Sequence, residues 1–145
     1  MKLIKQDGPF CVVTSAAMVL DVEPELIHDY IGHDGTRIQW PPNGMIGVHI
    51  QEIQQFAITQ GYMFAPLEVM PVSAPNDIEK PVEIYGEENL ARKIFENLLL
   101  GRKGILVTPG HAVAFIGHTV YDPKGFIKSI IDYEITDAWI LTRLI

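Results

Sequence analysis

At 145 residues, with 48% apolar and 20% charged side chains, the chain is long enough to bury a core without disulfide or metal support, which excludes a disordered or disulfide-stapled class. Eleven Lys and Arg against 18 Asp and Glu give a formal charge of -7, with no basic cluster, so no nucleic-acid partner is expected. The start, MKLIKQDGPF, lacks the apolar stretch of a signal peptide and no later segment reaches membrane-spanning length; no membrane contact and a cytoplasmic location are expected.

In chain order, CVVTSAAMVL from Cys11 to Leu20 is apolar or small and follows a Gly8-Pro9 entry turn, which predicts a buried first helix. Asp21, as a capping candidate, then Glu23, Pro24 and Glu25 mark the start of a second helix that should stop at Gly32. HDGTRIQWPPNG reads as an ordered surface loop, with Trp40 placed to rim a cleft. Val48, Ile50, Ile53, Phe56 and Ala57 predict a third helix over about 46 to 60, capped by Gly61.

The next stretch, YMFAPLEVMPVSAPNDIEKPVEIYG, carries four prolines and points to edge strands and turns. A fourth helix is expected over about 87 to 100, with Leu90, Ile94, Leu98 and Leu99 as its inner stripe and Gly101 as its end. GILVTP, HAVAFI, TVYDP, FIKSIID and ITDAWILTRL then read as short strands of an antiparallel sheet. Helices first and strands second make an α+β fold in a single domain over 1–145.

The chemistry centres on Cys11, the only cysteine, which cannot form an intramolecular disulfide. A thiol attacks carbonyl carbon as the thiolate, which a helix N-terminus and a nearby imidazole both favour. Of His28, His33, His49, His111 and His118, the best placed as base is His111, at the start of a strand. His118 falls in a turn and is expected to be exposed.

If Gly117-His118 is a two-residue turn, Asp122 lies opposite Val113 and shares a face with His111, within reach of a hydrogen bond that orients the ring. Gln6 can supply a side-chain N–H to the oxyanion, with the Cys11 backbone N–H as the second donor.

His28, Asp29, His33, Asp34 and His49 invite a metal reading. They lack HExxH-like spacing and a cysteine pair, so no metal and no cofactor is expected. Trp40 and Trp139 are large enough for core or cleft wall alike.

Gln6, Cys11 and the helix TSAAMVL, followed about a hundred residues later by GHAVAF and VYDP, resemble the papain-like cysteine peptidases. They are most similar to the bacteriocin-leader-processing (double-glycine) peptidases and their stand-alone relatives. The resemblance implies a papain-like fold, with a helical half carrying the cysteine and a sheet half carrying histidine and aspartate. By position it implies Cys11 as nucleophile, His111 as general base and acid, Asp122 as orienting residue and Gln6 as oxyanion donor. Two positions depart from the pattern. Val12 stands where the family has glycine, and Gln6 lies five residues before the cysteine where papain has six.

The expected function is cleavage of a peptide or isopeptide bond in a peptide or protein substrate, through a thioester acyl-enzyme. The same residues serve deamidases, transglutaminases and acyltransferases, which differ in the acyl acceptor. A contrasting reading, motivated by Val12, is a relative that binds a peptide or protein without cutting it.

Overall fold

The run CVVTSAAMVL forms helix α1 (Cys11–Leu20) in the computed structural model, which describes residues 1–33, 38–40, 45–46, 48–67, 69 and 90–145. Every residue from Val13 to Val19 is buried, as expected of a helix that is apolar on all sides. Asp21 does not open the second helix. It closes the first, in the left-handed region at φ 58, with its N–H donated to the Ala17 carbonyl, a conformation that short polar residues tolerate better than most. Helix α2 (Pro24–Ile31) begins on Pro24 and ends at Gly32, as the sequence predicts.

Strand β1 (Ile38–Trp40) stands within the stretch expected to be loop and pairs antiparallel with β2 (Met45–Ile46), which lies just beyond it and reaches 46, where the third helix is expected to begin. Helix α3 (Ile50–Thr59) therefore starts later than 46. Its start is set by a reciprocal cap: the Gln51 N–H donates to His49 Nδ1 at 3.2 Å, and the His49 N–H donates to Glu52 Oε2 at 2.9 Å. Of the proline-rich stretch, 62 to 67 forms β3 (Tyr62–Leu67), whereas 68 and 70 to 86 lie outside the described residues.

Helix α4 (Leu90–Leu98) is followed by β4 (Lys103–Thr108), β5 (His111–Ile116), β6 (Thr119–Asp122), β7 (Phe126–Ser129), a 3-10 turn (Ile130–Asp132) and β8 (Asp137–Arg143). Strands β3 to β8 form one antiparallel sheet in the order β3-β8-β4-β5-β6-β7. Thus β3 lies at an edge, the position that tolerates Pro66 with its missing N–H. The fold is mixed α+β, with α1, α2 and α3 in the N-terminal half and most of the sheet in the C-terminal half.

Both faces of the sheet are covered. On one, Val13, Ala17, Ile27, Ile53 and Phe56 of the first three helices pack with Ile105, Ala112 and Ala114. On the other, Phe95 and Leu99 pack with Leu106, Val113, Phe115 and Val120. Alternation along β5 sends its alanines to the α1 side, where a helix must come close, and its larger residues to the other.

The expected inner stripe of α4 holds at Leu99 but not at Ile94 and Leu98, and the Leu90 side chain lies outside the described residues. Ile94 and Leu98 are 43% and 42% exposed, whereas Phe95 and Leu99 are fully buried. Both pairs have i,i+4 spacing, and the larger Phe95 ring gains more from burial.

Candidate active site

Gly8, at φ +122, and a bond from the Phe10 N–H to the Gly8 carbonyl (2.9 Å) turn the chain into α1, so that Cys11 is its first residue. Among the described residues no side chain caps this helix, and the N–H groups of its first turn have no intrahelical partner. They favour negative charge on the sulfur or on an oxygen held beside it. The first turn lines a cleft of about 390 Å³, whose other walls include Gln6, His111 and Lys124.

His111 opens β5 directly after the Pro109-Gly110 turn. The turn at Gly117-His118 has two residues, since Ile116 pairs with Thr119 and Ala114 with Tyr121. In that register Asp122 shares a face with His111, and their side chains meet: His111 Nε2 lies 2.7 Å from Asp122 Oδ1. An ionised carboxylate only accepts, so Nε2 carries the proton and Nδ1 is left as the acceptor nitrogen of the ring.

Asp122 is 2% exposed. Its Oδ1 also accepts the Lys124 N–H at 2.9 Å, and its Oδ2 accepts the Tyr133 hydroxyl at 2.7 Å. Burial pushes the carboxyl pKa up, but the bonds from His111, the Lys124 amide and Tyr133 outweigh it and hold the group below its ordinary value. Burial and then the bond to Asp122 push the Tyr133 phenol far above the ordinary tyrosine value.

The Gln6 N–H donates to the Pro123 carbonyl at 2.6 Å, tying the N-terminal segment to the turn behind Asp122. Gln6 Nε2 donates to the Gly8 carbonyl at 2.6 Å, and since an amide nitrogen carries two hydrogens, one is left over. Gln6 Oε1 is buried without a partner among the described residues.

The structure therefore gathers Gln6, Cys11 and His111 around one cleft and bonds Asp122 to His111. Among the described residues no hydrogen bond joins the Cys11 thiol to His111. Val12, beside the thiol, forms part of the wall.

The other histidines serve elsewhere. His28 packs edge-on to Phe10 with ring centres 5.0 Å apart, and His33 Nε2 bonds Glu52 at 2.6 Å. His118 is not exposed as expected; it is half-buried, with Nε2 donating to the Glu96 carbonyl of α4 at 2.6 Å. Asp34 and the Trp40 side chain lie outside the described residues, as does most of the loop expected over HDGTRIQWPPNG. Among the described residues no three His, Cys, Asp or Glu side chains are grouped to hold a metal ion, and no helix is long and apolar enough to cross a membrane. Trp139 packs against the core on the α1 side.

Two contributors to the site escape the sequence reading. The Lys124 amide was legible in principle, because an aspartate that opens a turn commonly accepts the N–H two residues on. Tyr133 carried no local signal: it reaches Asp122 from 11 residues away, across β7 and the 3-10 turn. Comparison of the chain with protein-family models, curated proteins and solved structures finds no match.

Proposed function

We propose that the chain is a cysteine hydrolase of papain-like fold that cleaves a peptide or isopeptide bond. The observation that carries this reading is the His111–Asp122 bond at the rim of the cleft that the first turn of α1, with Cys11, also lines.

With Nε2 committed to Asp122, Nδ1 of His111 takes the proton from the Cys11 thiol, and the thiolate adds to the substrate carbonyl carbon. The resulting oxyanion is met by the Cys11 N–H and the remaining Gln6 Nε2–H. The imidazolium returns its proton to the leaving nitrogen as the C–N bond breaks, giving a free amine and a thioester on Cys11. Water then loses a proton to Nδ1 and adds to the thioester, releasing the acid and restoring the thiol. An amine in place of water gives acyl transfer from the same groups.

A second reading, non-catalytic peptide or protein binding, is favoured by the Val12 wall and by the lack of a thiol–imidazole hydrogen bond. Alkylation separates the two. If the site is catalytic, iodoacetamide labels Cys11 much faster than free cysteine at neutral pH, and His111→Ala slows the labelling. Slow labelling that ignores His111→Ala sinks the enzyme reading.

A further inference from the structure

We propose that Tyr133 is a positioning residue of this site: its hydroxyl reserves Oδ2 of Asp122, so that the carboxylate presents only Oδ1 to His111. The inference rests on the catalytic reading of Cys11, His111 and Asp122.

The terminal torsion of an aspartate is broad and roughly two-fold. A carboxylate held at one oxygen can therefore turn and take the imidazole with it. Here both ends are held. Oδ1 carries the Lys124 amide and the imidazole, and Oδ2 carries the phenol at 2.7 Å. The phenol stays protonated, and so remains a donor, because burial and the carboxylate both oppose its ionisation.

Tyr133 is itself anchored on the α4 side of the sheet. It follows the 3-10 turn, its N–H donates to the Ile130 carbonyl at 3.2 Å, and Ile130 is 1% exposed. Arg92 of α4 donates through Nη2 to the carbonyls of Ile130 (2.7 Å) and Tyr133 (2.9 Å). The tyrosine ring packs against the cluster that includes Phe95 and Leu99. Helix α4 thus fixes the turn, the turn fixes the phenol, and the phenol fixes the carboxylate that orients the base.

The test compares Tyr133→Phe with Tyr121→Phe, a neighbouring phenol that makes none of these bonds, and follows iodoacetamide labelling of Cys11 and the ring-nitrogen NMR titration of His111 from about pH 5 to about pH 9. Tyr133→Phe is expected to label about tenfold more slowly, the size of one lost hydrogen bond to a charged group. The His111 titration is displaced with it, and Tyr121→Phe leaves both readouts in place. Labelling and titration both identical to the parent protein overturn the proposal.

Should the parent label no faster than free cysteine, the catalytic reading fails, and the His111 titration alone then decides for or against Tyr133. Should Tyr133→Phe not fold, the unaltered protein decides. A Tyr133 ring carbon that stays in its phenolic form to about pH 11 upholds the bond to Asp122, and ionisation near the ordinary value of about 10 overturns it.

Discussion

The hydroxyl of Ser15, fully buried in α1, donates to the carbonyl of Ala112 at 3.2 Å, across 97 residues of sequence. It joins the helix that begins at Cys11 to the strand that begins at His111. Ser15→Ala removes the one polar tie between them among the described residues and leaves a buried carbonyl with one partner fewer. The expected loss is about 1 kcal/mol of stability, read by urea denaturation, and slower alkylation of Cys11. Labelling at the parental rate would show that the two elements keep their alignment through apolar packing alone.

Gln6 offers a test of the proposed oxyanion site that alkylation cannot supply. Alkylation forms no tetrahedral oxyanion, whereas acylation does. Gln6→Ala should therefore slow acylation of Cys11 by an activated ester about a hundredfold or more, while changing iodoacetamide labelling little. Equal effects on both reactions would assign Gln6 to the geometry of the 6 to 10 turn.

Asp122 makes stability depend on pH in a defined direction. Its folded pKa is held below the ordinary value of 3.8. The carboxylate therefore stabilises the fold above that pH, and the contribution is lost as pH falls from 3.8 through the folded pKa. Asp122→Asn should remove this component, so the parent protein loses more stability than the variant on acidification. Parallel pH dependence in urea denaturation would contradict the assignment.

On α4 the buried and exposed residues alternate in a way that mutation can separate. Phe95→Ala should cost about 3–5 kcal/mol, because the ring is fully buried against the sheet. Ile94→Ala, at a site 43% exposed, should cost less than about 1 kcal/mol. Thermal melts of the two variants check the phase of the helix directly.

Gly104 sits in β4 between Phe115 on β5 and Ile140 on β8. A Cβ there would run into the Trp139 carbonyl oxygen, a contact only backbone movement can relieve. Gly104→Ala should cost more than about 3 kcal/mol or prevent folding, as overpacking against a rigid neighbour does. Parental stability by circular dichroism would show that β4 and β8 can part without loss.

Much of this fold was legible in one dimension, because its signals are local. The limits of α1, the stop at Gly32, the strands around HAVAFI and TVYDP, and the edge placement of β3 follow from periodicity, glycine and proline. The two-residue turn at Gly117-His118 carried further still. It set the register that puts Asp122 on the face of His111, so a bond between residues 11 apart was foreseeable. The phase of α4 was legible only at Leu99, because two i,i+4 pairs compete and only the sheet beneath selects Phe95 over Ile94 and Leu98. The burial of His118, which depends on a carbonyl of α4, was not legible, nor was the start of α3, where a histidine cap is a rare choice.

The sequence by itself determined which residues could do chemistry: one thiol at the head of a helix, and one imidazole and one carboxylate on a hairpin whose register its own turn dictates. Only the tertiary structure decided what surrounds them. It brought α1 against β5 so that Cys11 and His111 line one cleft, and it brought Tyr133 and Arg92 behind Asp122. These are contacts between elements distant in the chain, chosen by packing on the two faces of the sheet, and no local pattern encodes them.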